Sequence, residues 1–193
     1  YGGQWNVLPK PGDVSVAQSA EYVVLSHGHE DHLHEPTLRK LAAGKTALYP
    51  FYWYGGTTGY LKEIGFSKIV EMKSGATHRL TPRVSITFIV NGQDSIIVME
   101  DGESVLVNVN DALHSSEPFL IDLYVVRLRR RWPKIDYVFC GFGGASYYPN
   151  TIHGPGKDDH GVALVREQLF AHNFCRIVHD LAPGADLYFS GGA

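Results

Sequence analysis

Cysteine is scarce in this chain. Its 193 residues hold two, Cys140 and Cys175, too few for a disulfide framework and in neither a Cys-x-x-Cys nor a Cys-x-His pattern. That excludes a small disulfide-stapled scaffold and makes a reduced, cytoplasmic setting the expectation. Charge is scarce as well: charged residues make up 19% and the net charge is −3. The largest basic run, Arg127-Leu128-Arg129-Arg130-Arg131, reads as the cap of a helix end, so nucleic acid is not an expected partner. No apolar stretch reaches the roughly 20 residues of a membrane-spanning helix, and no charged-then-apolar leader pattern opens the chain, so a membrane is not expected either. Repeats, low-complexity runs and linkers are missing, and residues 1–193 read as a single domain. The chain opens at Tyr1 without an initiator Met, which reads as processed, trimmed or incomplete. With no Gly-x-Ser-x-Gly elbow and no Ser-His-Asp arrangement, a serine nucleophile is not expected.

Histidine, by contrast, is concentrated in one place. The stretch Ser26-His27-Gly28-His29-Glu30-Asp31-His32-Leu33-His34 holds four of the 10 histidines. Tyr22-Val23-Val24-Leu25 before it reads as a buried strand, and Pro36, Leu38, Leu41 and Ala42 after it read as a helix over about 36–43. The cluster therefore sits on a strand-to-helix loop, where open α/β folds place their chemistry. In extended backbone, side chains two apart point the same way, so His27 and His29 can reach one metal ion. Asp31 and His32 diverge as the chain turns and can reach a second. Imidazole with carboxylate suits zinc or non-haem iron.

The remaining pattern is α/β. Residues 1–20 carry turn signals and read as a loop. Strands are expected at 46–49 and 68–72, with a helix at 57–64 ended by Gly65. From 84 the pattern becomes consecutive strands, at 84–90, 95–100 and 104–109, the last two joined by Asp101-Gly102. A helix from about 116, a strand at 135–139, a helix at 160–181 and a strand at 186–189 complete the expectation.

His27-x-His29-x-Asp31-His32 resembles the signature motif of the metallo-β-lactamase superfamily. Further stretches, Asp94-Ser95-Ile96-Ile97-Val98, Val107-Asn108-Val109-Asn110-Asp111 and Gly143-Gly144-Ala145-Ser146, are similar to the CMP-N-acetylneuraminic acid hydroxylase branch and its bacterial relatives. The resemblance implies an αβ/βα sandwich, here lacking its first strands and its C-terminal end. It implies that His27 and His29 hold one metal, that Asp31 and His32 hold the other, and that Asp111 bridges them. Asn110 then holds the Asp111 carboxylate from behind. The superfamily's further histidine, close after the strand at 84–90, has no counterpart in Val90-Asn91-Gly92-Gln93-Asp94; Asn91 and Asp94 are the oxygen ligands available there.

Elsewhere, Gly143, Gly144, Ser146 and Tyr147 follow a strand without a phosphate-loop pattern and by themselves read as a flexible loop. The resemblance implies that Gly143, Gly144 and Ser146 contact substrate, and Tyr147 has a ring that could stack on a sugar or base. Asp158-Asp159-His160 reads as a helix start rather than a metal cluster. His34, His78, His172 and His179 read as surface or core-edge residues, and the aromatic loop Phe51-Tyr52-Trp53-Tyr54 as core more than binding wall.

Three functions fit this sequence. The first is a metal-dependent hydrolase, with one or two zinc ions generating hydroxide and Asp31 orienting the water. The second, implied by the hydroxylase resemblance, is a non-haem iron oxygenase; lacking Cys-x-His, it would need an external electron-transfer partner. The third is a degenerate, non-catalytic metal-binding relative. Either enzyme would act on a small-molecule substrate.

Overall fold

The structure is a computed structural model that describes residues 15–143 and 155–186. By contact the chain divides into two compact units, Tyr1–Ala76 and Thr77–Ala193.

The first unit is a three-stranded parallel sheet in the order β1 (Tyr22–Val24), β2 (Thr46–Pro50), β3 (Lys68–Met72). Parallel neighbours need a crossover, and α2 (Glu35–Leu41) and α3 (Thr57–Ile64) provide one each. Leu38 and Ala42 at the end of the first crossover, and Leu61 and Ile64 from the second, pack on Ala47 and Tyr49 of the central strand. Gly65 ends α3 at φ 121°, a conformation closed to other residues. A short helix, α1 (Ser15–Ser19), lies where the turn signals suggested only loop. It is anchored by Lys45, whose ammonium donates to the Ala20 carbonyl at 2.6 Å and also to that of Gln18.

The second unit is a six-stranded sheet in sequence order: β4 (Thr77–Arg79), β5 (Ser85–Asn91), β6 (Asp94–Glu100), β7 (Val105–Asn108), β8 (Tyr137–Phe139) and β9 (Ala185–Asp186). Pairing is antiparallel from β4 to β7 and parallel from β7 to β9. The β5–β6 hairpin closes on Gly92-Gln93. Gly92 at φ 63° occupies the first central position, where such turns take glycine. Thr87↔Val98 and Ile89↔Ile96 pair on one face, while Ile86↔Met99 and Phe88↔Ile97 pair on the other. Onto the Ile89, Ile96 and Val98 face pack α4 (Pro118–Arg131) and α5 (Asp159–Leu181), through Ile121, Val125, Leu128, Ile177 and Leu181.

Most expected elements are present within a residue or two. Strand β4 had no sequence expectation; it places His78 half-buried in an edge strand opposite Ile86. Of the expected last strand at 186–189, only Asp186 falls within the described residues, as the end of β9.

Candidate metal centre

The first unit assembles most of the motif on its own. Past β1, the Leu25 N–H still donates to the Leu48 carbonyl at 2.9 Å, so the parallel ladder carries the chain up to Ser26 and His27. The chain then turns tightly. The His29 carbonyl accepts from the N–H of His32 at 3.0 Å and of Leu33 at 2.7 Å, which folds His32 back over His27. Ring centroids lie 4.0 Å apart for His27 and His32, and 4.5 Å apart for His27 and His29, the latter nearly perpendicular. Glu35 and Pro36 then open α2. The Glu35 carboxyl is held below its ordinary range by hydrogen bonds from Arg39 and Tyr60 and by the Arg39 charge.

Two ring nitrogens meet directly: His27 Nε2 and His29 Nδ1 are 3.0 Å apart, within hydrogen-bond distance. Two ligands each about 2.1 Å from one ion have donor atoms about 3.0–3.4 Å apart, depending on coordination geometry, so this pair is close to the spacing that a shared cation needs. Asp31 Oδ2 lies 3.5 Å from His32 Nε2 and forms the other pair. Burial is graded across the group: His27 is buried at 3%, His32 is half-buried, and His29 and Asp31 are exposed. A cation held here would face solvent, with room for water or substrate.

Two contributors had no sequence expectation. Ser26, buried at 5%, puts its hydroxyl 2.9 Å from His27 Nδ1 and 3.3 Å from His32 Nδ1. Tyr52, from the aromatic loop, donates its hydroxyl to the Ser26 carbonyl at 2.6 Å. That loop is otherwise not core, correcting the expectation: Trp53 is 84% exposed, and Phe51 and Tyr54 are exposed too. One strand over, burial and a hydrogen bond to Glu71 push the Tyr49 hydroxyl up to about 12.

In the second unit, Asp111 lies three residues beyond β7, where the chain leaves a parallel pairing. Val109 N–H donates to the Phe139 carbonyl at 2.8 Å. Asn110 then takes φ 50°, a left-handed conformation that Asn tolerates better than most residues. Its N–H donates to Asn108 Oδ1 at 3.1 Å and its amide to the Ser95 carbonyl at 3.4 Å. Asn110 thus shapes the turn that delivers Asp111. Asn91, a candidate oxygen ligand by sequence, donates its amide to the Ala112 carbonyl and braces the same loop. His114 Nδ1 pairs with the Asp111 carbonyl, and its ring stacks on Phe170 at 4.9 Å. Cys140, at the end of β8, is fully buried. Burial first, and then the negative charge of Asp111, push its thiol up to about 12.

Of the substrate-contact candidates, Gly143 is half-buried beyond β8; Gly144, Ser146 and Tyr147 lie outside the described residues, as does His153. Asp158 caps α5, accepting the Gly161 N–H at 2.9 Å, as expected for a helix start. His34, His172 and His179 are exposed. Among the described residues, no helix is long and apolar enough to cross a membrane.

No family model matches the chain. A protein of Mycobacterium tuberculosis named as a Rieske 2Fe-2S iron-sulfur protein is 26% identical, the match covering 88% of this chain and 34% of the relative. Among solved structures, the diiron β-hydroxylase CmlA of Streptomyces venezuelae superposes with a TM-score of 0.65 at 16% identity, over 90% of this chain and 36% of CmlA. An isothiocyanate hydrolase from Delia radicum gut bacteria gives 0.61 at 16% identity, over 92% and 65%. The metallo-β-lactamase fold protein YhfI of Bacillus subtilis gives 0.50 at 16%, over 89% and 64%. The chain thus spans about a third of the length of the Mycobacterium relative and of CmlA.

Proposed function

On a chain with the metallo-β-lactamase fold, we propose an iron centre for oxygen-dependent hydroxylation of a small-molecule substrate. Its ligands in this proposal are His27, His29, Asp31 and His32, with Asp111 as the carboxylate that the sequence resemblance assigns to the same centre. One observation favours oxygen chemistry over hydrolysis: the similarity, across 88% of this chain, to a protein named for a Rieske 2Fe-2S centre. Such a centre carries single electrons, which hydrolysis does not use. The resemblance of several stretches to a hydroxylase branch supports the same reading. Since this sequence has no Cys-x-His pair, the electrons come from a transfer partner or from a segment outside these residues.

Bound iron supplies activation of dioxygen and oxidation of an unactivated C–H bond. The chain's own residues bind and orient. His27 and His29 present neutral imidazole nitrogens to one cation. In this reading Asp31, exposed beside His32, would take a proton from water or substrate at the solvent side. A reduced, cytoplasmic setting belongs to the same proposal and is supported by two free cysteines.

Metal-dependent hydrolysis is the second reading. The nitrogen and oxygen donors suit zinc as well as iron, and zinc-bound water is acidic enough to yield hydroxide near neutrality. The deciding experiment is metal analysis followed by anaerobic reconstitution with ferrous iron and oxygen-uptake measurements with a chemical reductant. Roughly two irons per chain and reductant-dependent oxygen uptake, lost in His29→Ala, are expected. Retained zinc with hydrolytic turnover and no oxygen uptake would overturn oxygen chemistry in favour of hydrolysis. Well under one ion per chain would overturn both and leave a degenerate relative.

A further inference from the structure

The Ser26 hydroxyl touches two of the clustered imidazoles at once. It lies 2.9 Å from His27 Nδ1 and 3.3 Å from His32 Nδ1, with Ser26 and His27 buried and His32 half-buried. In the ligand assignment above, His27 serves one cation and His32 the other. We propose that Ser26 is a positioning residue shared by both halves of the centre, fixing the ring orientation and tautomer of His27 and His32 together. This rests on the metal-centre reading, not on which reaction the metal performs.

The chemistry of a hydroxyl makes the sharing feasible. It has one proton and two lone pairs, so it can accept an N–H from each ring at once. When both Nδ1 atoms are protonated and directed at Ser26, both Nε2 lone pairs face away from it. For His27 that is the nitrogen 3.0 Å from His29 Nδ1, and for His32 it is the nitrogen beside Asp31. An imidazole held at one nitrogen is a better and better-aimed ligand through the other. Ser26 is itself fixed on two sides. The Leu25–Leu48 bond holds it at the end of the parallel ladder, and the buried Tyr52 hydroxyl ties down its carbonyl at 2.6 Å. Alanine at this position keeps the backbone and loses the acceptor, while threonine keeps the acceptor.

The test uses wild type, Ser26→Ala and Ser26→Thr, with folding checked by far-UV circular dichroism. Zinc affinity by chelator competition is expected to fall about 10–100-fold in Ser26→Ala and to recover in Ser26→Thr. Long-range 1H–15N correlation spectra of the histidine rings give a readout that a merely structural role would not move. In zinc-loaded wild type, both His27 and His32 should carry the proton on Nδ1. In Ser26→Ala the nitrogen signals of both rings should shift together, with and without zinc, and Ser26→Thr should restore them. A zinc-loaded wild type with an Nε2 proton on either ring would overturn the proposal, whatever the variants do. So would an affinity in folded Ser26→Ala within about twofold of wild type. If wild type binds no zinc but the two rings still respond together to Ser26→Ala, the metal-centre reading fails while the sharing by Ser26 stands.

Discussion

The two units use opposite strategies to present a polar side chain. In the first, all three strands are parallel, every connection crosses over by a helix, and the ladder ends in a loop dense with imidazole. In the second, four strands run as hairpins, which spend their turn residues on closing tight corners, and only β7, β8 and β9 are parallel. Yet Asp111 in the second unit also sits just past the carboxyl end of a strand with a parallel neighbour, as His27 does in the first. Hairpin ends are consumed by the turn, whereas the ends of parallel strands leave a free loop whose direction the ladder fixes. Histidines follow the same division: three meet within ring contact at the parallel end in the first unit, while His172 and His179 lie exposed on α5.

The largest expected effect tests whether this division is functional. His29→Ala, an exposed position, should weaken metal binding more than about 100-fold, because even residues behind metal ligands are worth about 10–100-fold. Asp111→Ala should also lower the number of ions bound. His179→Ala, on the exposed side of α5, should change neither affinity nor stability beyond about 0.5 kcal/mol. Isothermal titration with zinc and circular dichroism read these effects. Equal losses in all three variants would erase the contrast.

Next in size is a change confined to the core of the second unit. Leu128→Ala, at a fully buried position between α4 and the sheet, should cost about 2–5 kcal/mol in urea unfolding. Zinc affinity of the folded fraction should remain, because Leu128 is a core residue of α4 and not one of the proposed ligands.

The smallest effect concerns pH. Both Tyr49 in the first unit and Cys140 in the second are held protonated to about pH 12 by burial. A raised folded-state value favours the neutral form. The associated stability is therefore complete below the ordinary values of 10 and 9 and is lost as pH rises towards 12. Unfolding midpoints should thus fall progressively above pH 9. At neutral pH, iodoacetamide should label Cys175 in the native protein and reach Cys140 only after denaturation.

Much of this architecture was legible because its causes are local. Gly65 stops α3 and Asp158 caps α5, each through backbone chemistry within a few residues. The spacing of His27, His29, Asp31 and His32 likewise pointed to a cluster of side chains, and these side chains do meet. Strand β4 was not legible, since Thr77-His78-Arg79 has no apolar alternation and becomes a strand only by pairing with β5. The aromatic loop misled because composition cannot separate the one ring that turns inward, Tyr52, from the three that do not.

The sequence by itself determined which residue types stand at the ends of which strands, since strand and helix boundaries follow from turn, cap and periodicity signals that act over a few residues. Tertiary structure alone decided that His32 folds back over His27, and that a serine and a tyrosine 26 residues apart are joined behind the imidazoles by one hydrogen bond. Those facts depend on β1 pairing with β2 and on the turn closed at the His29 carbonyl. Long-range pairing of this kind leaves no periodic trace in the chain, because its partners are separated by a whole crossover.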